Sequence, residues 1–506
     1  MSGPPAYLLS RWVFLRLLGL IYLIAFASLA TQVTGLVGAD GILPAGPYLD
    51  RLRDTYGAQA YRLFPTLLWV SSNDLSLTGL CWLGAGLAAL LVAGIAPVAV
   101  LVLLWVSYLS LTVVGQTFLG FQWDGLLLEM GLLACFYAPR RWWPTLATED
   151  PPSPLARWLL WWLLFRLMFL SGITKLASGD PTWADWTALT YYYETQPLPL
   201  WTGWYAHQLP VWTHRLSAGG MYVIELLLPW AIFLPQRFRR TRLWACAGLV
   251  LLQVAIGITG NYGFFSMLSV VLCLTLVDDR GWRRLLPIPR VEPVRMSGSG
   301  ERQPPSAAGL RRSVATAVAT TLFALGGLTF AREIADTVER SGRPSLDLSW
   351  SDSVVGLAEP FRSVNGYGLF RVMTVERPEI VIEGSMDGSQ WIDWNLRWKP
   401  GDPQRRPGLV TPHQPRLDWQ LWFAALDPRG AGYWLSPLMM RLLEGAPAVT
   451  ALVGDAAFAD GPPRYLRLAY YDYRFKTPAE RMETGTWWHR ELVDYLTEPV
   501  SLADRR

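Results

Sequence analysis

The run RWLLWWLLFRLMFLSGITKL at residues 157–176 decides the class of fold. It is apolar over nearly its whole length, and a helix needs roughly 17–25 such residues to cross the core of a bilayer. Eight further apolar runs are long enough, or nearly so, and lie near residues 11–33, 77–94, 96–114, 121–138, 217–234, 243–260, 263–278 and 312–330. The sequence therefore predicts a polytopic α-helical membrane protein with about nine transmembrane helices.

The composition agrees with a membrane protein. Hydrophobic residues make up 52% of the 506 residues and charged residues only 17%, which excludes an intrinsically disordered chain. The 27 Trp fit a chain with extensive membrane–water interfaces, where Trp is enriched. A formal net charge of +4 gives no support for nucleic-acid binding. All four Cys lie inside apolar runs, and no metal-ligand spacing is present, so we predict neither a disulfide framework nor a metal site.

The distribution of arginine predicts an orientation. With a cytoplasmic N-terminus, the loops 139–156, 235–242 and 279–311 lie inside, and the loops 34–76 and 177–216 lie outside. Counting residues at the helix ends, the inside carries 16 arginines and the outside four. Because basic residues are retained on the cytoplasmic side, this asymmetry favours a cytoplasmic N-terminus. With this orientation, the chain beyond the last span lies on the far side of the membrane. For a bacterial inner membrane this side is the periplasm, and for a secretory compartment it is the lumen.

The chain beyond Phe330 has the composition of a soluble domain. Short β-type runs at 379–382, 391–398 and 465–471 predict a β-rich fold, a β-sandwich, with helices near 435–444 and 488–496. The predicted divisions are a helical bundle at 1–278 with an aromatic outer loop at 177–216, a cytoplasmic linker at 279–311, a last span at 312–330 and an extracytoplasmic domain at 345–506.

Charged residues inside the spans are costly in lipid and are usually paired or functional. The predicted topology and the rise of a helix give each residue's depth in the membrane. Asp124 and Lys175 lie at the same depth near the outer face, and Glu129 or Glu225 lies at the depth of Arg166. We therefore predict ion pairs within these two sets. Their simplest role is to hold the bundle together.

An alternative role for Lys175 is that of a catalytic base. Only three of the 44 basic residues are Lys, and Lys175 is the one that lies in a span. Lys can lose its proton when it is desolvated, whereas Arg cannot, so the choice of Lys fits a base whose charge Asp124 tunes. This alternative is a membrane enzyme, and it requires an outward-opening cavity between 121–138 and 157–176 with Lys175 on the wall.

Six long strings resemble the lipase maturation factor family, and the resemblance runs from about residue 11 to the end. The strings are FQWDGLLLE at 121–129, SGITKLASGDPTW at 171–183, YETQPLP at 193–199, TGNYGFF at 259–265, RPEIVIEGS at 377–385 and PHQPRLDWQ at 412–420. The resemblance implies a membrane protein that helps secreted client proteins, lipases in the animal members, to fold and assemble in the endoplasmic reticulum. It implies no cofactor, and its partners are the client and membrane lipid.

By the same resemblance, the C-terminal domain contacts the client. The predicted client-binding side chains, taken as exposed, are Arg416, Asp418, Trp419, Trp422, Trp487 and Trp488. The alternative for the four Trp is that they belong to the core of the domain.

A more distant resemblance concerns Arg166, Lys175, Asp180 and Trp183. Their spacing is similar to that of vitamin K-dependent carboxylase-type membrane proteins, in which a lysine acts as a base on a reduced quinone. It implies a catalytic Lys175 with a quinone or lipid as cofactor. The predicted intramembrane polar network is Glu129, Arg166, Glu225 and Asp180. The primary prediction is a non-enzymatic maturation factor, and the alternative is a lipid- or quinone-dependent enzyme.

Overall fold

The computed structural model describes residues 6–147, 149–285, 305–454, 457–458 and 461–505. The principal helices of the first two thirds are α1 Leu8–Ala30, α2 Asp74–Ala93, α3 Pro97–Val114, α4 Gln122–Tyr137, α5 Pro154–Ala177, α6 Val211–Tyr222, α7 Arg239–Thr259, α8 Phe265–Leu274 and α9 Pro305–Arg340. Shorter α-helices are Val33–Val37, Ala45–Tyr56, Ala60–Leu63, Pro181–Ala184, Leu189–Thr195, Trp201–His207, Asp279–Leu285 and Asp352–Ala358. The chain is thus a helical bundle followed by a mixed domain.

Seven helical stretches in the described part of the chain are long and apolar enough to cross a membrane. They are Leu8–Ala30, Asp74–Ala93, Pro97–Val114, Pro154–Ala177, Val211–Phe233, Gln236–Thr259 and Ser313–Arg340. The predicted runs at 121–138 and 263–278 are the helices α4 and α8, which have only 16 and 10 residues. Both are shorter than a bilayer core requires. The polytopic class is confirmed, and by length alone seven of the nine predicted spans qualify.

The two short helices lie inside the bundle. Helix α4 packs against α1, α3, α5 and α8, and α8 packs against α1, α4, α5 and α7. Since they are surrounded by protein, the charged residues of α4 meet protein partners instead of lipid.

The chain segments that were predicted to be cytoplasmic meet at one end of the bundle. Arg11 on α1 pairs with Glu149 at 2.5 Å, and the backbone N–H of Leu9 donates to Asp279. Arg239 at the start of α7 pairs with Asp278 at 2.6 Å. The N-terminus therefore shares this end with the loops 139–156 and 235–242.

The linker predicted at 279–311 is helical at both ends. Residues 279–285 form a helix, residues 286–304 lie outside the described residues, and α9 begins at Pro305. Helix α9 continues to Arg340, so it extends beyond the predicted last span at 312–330.

One antiparallel sheet organises the C-terminal domain. Its strands are β1 Pro378–Ser385, β2 Ile392–Trp394, β3 Tyr465–Phe475 and β4 Trp488–Tyr495, in the order β2-β1-β3-β4. The predicted strands at 379–382 and 465–471 lie within β1 and β3, whereas only three residues of 391–398 form a strand. The prediction of a β-sandwich is not supported, because the described residues form a single sheet with helices against it instead of a second sheet.

The remaining helices are α10 Arg416–Leu426, α11 Pro428–Leu443, α12 Pro447–Val453 and α13 Pro478–Thr484. The helix predicted near 435–444 overlaps α11. The helix predicted near 488–496 is wrong: these residues form β4, paired with β3 from Phe475↔Trp488 to Ala469↔Tyr495. Pairing with a neighbouring strand outweighs the local pattern, as is common for short segments.

The C-terminal domain is embedded in the bundle instead of hanging from it. After α9 the chain turns back towards the bundle. Residues 362–374, the returning segment, pack against it, and Tyr367 is completely buried among bundle helices. Arg362 donates to the carbonyl of Thr112 on α3 at 3.1 Å. Further along, Gln32 after α1 bonds to the backbone of Gln414 and Arg416. One hydrophobic core runs through both halves, and a second, smaller cluster joins Trp204 of the outer loop to Trp487 and Trp488.

Candidate functional site

The intramembrane lysine forms a buried ion pair with Glu225. The Nζ atom of Lys175 lies 2.8 Å from Glu225 Oε2 and donates to the carbonyl of Ser171 at 2.9 Å. The ring of Trp183 lies 5.4 Å from the same nitrogen, within range of a cation–π contact. Lys175 and Glu225 are each only 5% exposed. The predicted partner, Asp124, is elsewhere.

Two backbone features bring Glu225 to Lys175. Helix α6 continues into a π-helical turn at Val223–Leu227, which carries Glu225, and then into a 3₁₀ segment at Leu228–Phe233. Such π turns are rare and are often found at functional sites. On α5, a Cβ at Gly172 would lie 3.0 Å from the Cβ of Glu225 and even closer to Leu226, so glycine permits the close approach of the two helices.

Asp124 is paired with Arg416 from the C-terminal domain. Arg416 contacts both oxygens of the Asp124 carboxylate, at 2.6 and 2.8 Å, and Tyr108 donates to Asp124 at 2.5 Å. Asp124 and Arg416 are each 1% exposed. The predicted pairing of Asp124 with Lys175 is therefore wrong. Depth alone made them neighbours, and a cation brought in from the distant C-terminal domain occupies the carboxylate instead.

The second ion pair joins Arg166 on α5 to Glu129 on α4. Two residues of the returning segment bond to this ion pair. Tyr367 donates to Glu129 Oε2 at 2.8 Å, and Arg166 donates to the carbonyl of Asn365 at 3.0 Å. Of the two carboxylates considered from depth, the structure uses Glu129 for Arg166 and Glu225 for Lys175.

Asp180 belongs to a separate contact outside the ion pairs. Its Oδ1 atom caps the short helix Pro181–Ala184 by accepting from the N–H of Thr182 at 2.7 Å. Its Oδ2 atom accepts from the N–H of Met373 at 2.6 Å. Asp180 therefore fastens the end of α5 to the returning segment.

The predicted client-binding side chains are buried, which contradicts their assignment as exposed. Trp419 and Trp422 face the bundle, and Trp422 donates to the carbonyl of Thr195 at 2.9 Å. The ring of Trp487 lies 5.3 Å from that of Trp204 in the outer loop, and Trp488 packs 4.3 Å from Phe475. The remaining two, Arg416 and Asp418, are 1% and 2% exposed. Four of them, Arg416, Trp419, Trp422 and Trp487, lie at the contact of the domain with the bundle and its outer loop. Asp418 and Trp488 make their contacts inside the domain, as the core alternative predicts for Trp488.

Burial also shifts the titration of Asp418. Its carboxylate accepts from the N–H groups of Trp398 and Lys399 at 3.0 and 3.2 Å. Desolvation nevertheless outweighs these donors and raises the pKa of Asp418 to about 6.

Sequence reasoning missed a buried triad at the start of the sheet. Glu379 lies 2.6 Å from Arg377 and 2.5 Å from Lys399, and all three are at most 2% exposed. Arg377 donates to backbone carbonyls of the outer loop, including that of Gln196 at 2.5 Å. One signal in the sequence is the charged pair Arg377 and Glu379, which flanks Pro378 at the start of β1.

A cavity of about 940 Å³ lies beside the Lys175–Glu225 pair. Its wall comes from helices α4 to α10, from the outer loop and from residues 368–374 of the returning segment. Both members of the ion pair are part of that wall, as are Trp183 and Trp419. The described residues contain no cluster of His, Cys, Asp or Glu that would hold a metal ion. The arrangement suits an apolar ligand beside a small polar centre.

Comparison with known proteins matches both halves of the chain. Residues 9–284 match the model of the lipase maturation factor transmembrane domain, and residues 363–498 match that of the lipase maturation factor C-terminal domain. No solved structure matches the chain.

Curated relatives match over nearly the full length. Lipase maturation factor 2 of Mus musculus is 36% identical, across 97% of this chain and 83% of the relative. The Homo sapiens lipase maturation factor 2 is also 36% identical, across 98% and 83%. Lipase maturation factor 1 of Bos taurus is 34% identical, across 100% and 92%. With both domains matched in order, this integral membrane protein belongs to the lipase maturation factor family.

Proposed function

We propose that this protein assists the maturation of secreted client proteins, with its C-terminal domain contacting the client outside the cytoplasm. The maturation role follows from the family, and the names of the relatives point to lipases as the class of client. The observation that carries the proposal is the outer edge of strand β4, where apolar side chains are exposed and no further strand of the described chain pairs.

Residues 345–506 are proposed to be extracytoplasmic. In support, the domain contacts the two loops that the arginine distribution assigns to the outside: Arg441 bonds to the carbonyl of Gly41, and Trp487 packs on Trp204. The arginine-rich loops meet at the end that holds Arg11 and Arg239. Positively charged loops stay on the cytoplasmic side.

Proteinase K added to intact spheroplasts is expected to destroy a C-terminal epitope and spare an N-terminal one. The proposed topology leaves only the domain at 345–506 and the outer loops within reach of the protease. Spheroplasts opened with detergent serve as the control, because both epitopes must then be digested. Survival of the C-terminal epitope in intact spheroplasts would reverse the topology.

Strand β4 has the properties of a binding edge. It pairs with β3 on one side and with no further strand among the described residues. The register shifts beside Val493, where β3 continues directly from Tyr470 to Tyr471 and Val493 is the extra residue of a bulge. Leu492, Val493 and Tyr495 are 42%, 60% and 40% exposed. An open edge with apolar side chains can add a strand from another chain, and a folding client exposes such strands.

Val493→Lys is expected to lower the amount of client that co-purifies by at least about tenfold, since one disrupted apolar hot spot is worth about 2 kcal/mol. The measurement is client recovered per mole of purified protein. Leu409→Lys is the matched control, because Leu409 is 64% exposed but lies in a loop. Equal loss of client in both variants, or in neither, would remove β4 as the contact.

The enzyme alternative retains one supporting observation. A cavity that α4 and α5 help to line has Lys175 on its wall. However, the amino group of Lys175 is engaged by Glu225 and Ser171, so a free base would need the proton to move to Glu225. The ion pair favours a structural role for Lys175.

A further inference from the structure

The cavity beside Lys175 has an apolar interior and a mouth. Deep wall positions are filled by residues such as Leu167, Met168 and Phe265, whereas Arg340, Leu251 and Val372 are exposed and therefore lie where the cavity opens. Its volume of about 940 Å³ is at the upper end of the range, roughly 300–1,000 Å³, in which proteins enclose a small-molecule ligand. The space is large enough for the acyl part of a lipid.

The charges of the wall favour an anionic ligand. Three cationic residues, Lys175, Arg340 and Arg371, face one carboxylate, Glu225. Lys175 is neutralised by Glu225, and Arg371 pairs with Glu333. Arg340, at the end of α9, has no ion-pair partner in the part of the chain that the structure describes. A cation without a partner at the mouth of an apolar cavity complements an acidic head group.

The wall also contains polar groups whose hydrogen bonds are incomplete. Among the described residues, Gln253 Oε1 and the indole N–H groups of Trp123 and Trp419 are buried without a partner. Leaving such a group unsatisfied costs about 1–3 kcal/mol. All three residues belong to the cavity wall, which therefore offers a bound amphiphile hydrogen-bonding groups beside its apolar surface.

We propose that this cavity binds one amphiphile with an acidic head group, its acyl chain inside and its head at Arg340. The shared chemistry is an acyl chain that ends in a carboxylate or phosphate, supplied by a free fatty acid or by an anionic phospholipid. Binding requires no reaction at Lys175 and is independent of the client contact at β4.

The proposal predicts a saturable adduct in native mass spectrometry of the full-length protein released from detergent. Oleate and dioleoyl phosphatidylglycerol are the two probes, and dioleoyl phosphatidylcholine is the neutral comparison. One adduct per chain with oleate identifies the fatty acid, and one with phosphatidylglycerol identifies the phospholipid. Phosphatidylcholine should bind at least tenfold more weakly than the better anionic probe.

Arg340→Glu is expected to weaken binding of that probe at least tenfold, since it reverses the charge at the mouth. Arg343→Glu is the matched control, three residues farther along and outside the wall, and should change binding less than twofold. Equal effects of the two variants, or binding of phosphatidylcholine as tight as that of the anionic probes, would overturn the proposal.

A second variant tests the cavity without changing charge. Gly220 is part of the wall, and a Cβ there meets nothing within 4 Å, so Gly220→Phe adds a ring at the cavity without forcing the backbone. The same change at Gly86 on α2, also in open space, is the control. Gly220→Phe should reduce the adduct at least tenfold and Gly86→Phe should not. An undiminished adduct in a folded Gly220→Phe protein would contradict binding inside the cavity.

Discussion

Arg416→Ala is expected to lower the free energy of unfolding by about 3–5 kcal/mol and to abolish client maturation. The change removes a buried cation and leaves the Asp124 carboxylate charged, desolvated and, among the described side chains, bonded to Tyr108 alone. Breaking a buried pair from one side costs this much because the remaining charge has no compensation. The readouts are the unfolding midpoint of the purified protein in detergent and the yield of active client in cells that express the variant.

Two further variants separate this effect from a general loss of charge. Arg474→Ala removes an exposed ion pair with Glu480, 2.7 Å long, and should cost less than about 1 kcal/mol. Replacing both Asp124 and Arg416 by Leu removes both charges at once and should recover most of the stability. A single Arg416→Ala variant as stable as Arg474→Ala would show that the pair does not join the domain to the bundle.

The membrane spans were predictable because they depend on local information. An apolar run such as 157–176 needs no partner to be recognised, since lipid accepts any sufficiently long apolar helix. The ion-pair partners, in contrast, depend on residues that are far apart in the sequence. Depth in the membrane ranked Asp124 beside Lys175, but Arg416 lies almost 300 positions further along the chain, and no pattern within the spans indicates that a soluble domain inserts a side chain there.

The aromatic residues show the same limit. A C-terminal domain that is separate from the bundle predicts exposed side chains for Trp419, Trp422 and Trp487. In the structure they lie at the contact between the two parts. Composition indicates that a Trp is amphipathic, but it does not distinguish a client surface from an internal interface. The sequence pattern at 488–496 predicts a helix, and a helix has no open backbone edge to which another strand can pair. The exposed edge of β4 was therefore not predicted.

The family role and the ion pairs fit together through the embedded domain. Arg416, Tyr367 and Asp180 each tie a segment beyond α9 to the bundle. The proposed client contact on β4 would thereby be held at a fixed position relative to the bundle, and ordering a binding surface in advance lowers the entropic cost of capturing a client. The Lys175–Glu225 ion pair lies next to this contact between domain and bundle. A structural role for Lys175 fits a maturation factor, whereas a catalytic role would indicate a membrane enzyme.

Lys175→Met is expected to destabilise the protein by about 3–5 kcal/mol, and Lys175→Arg is expected to preserve both folding and client maturation. Methionine keeps the length of the side chain but leaves Glu225 as an uncompensated buried charge. Arginine keeps the positive charge, and the adjoining cavity gives room for its larger head group. Arginine cannot act as a base, because it does not lose its proton in proteins.

Comparing Lys175→Arg with Lys175→Met therefore distinguishes a structural role of the positive charge at Lys175 from a role in proton transfer. A structural cation tolerates Arg and rejects Met, whereas a catalytic base is lost in both. The measurements are the unfolding midpoint, the amount of bound client and the yield of active client, each for Lys175→Arg, Lys175→Met and the unmodified chain. A Lys175→Arg protein that folds and binds client but yields no active client would refute the purely structural role, since only the chemistry of the amine has then been removed.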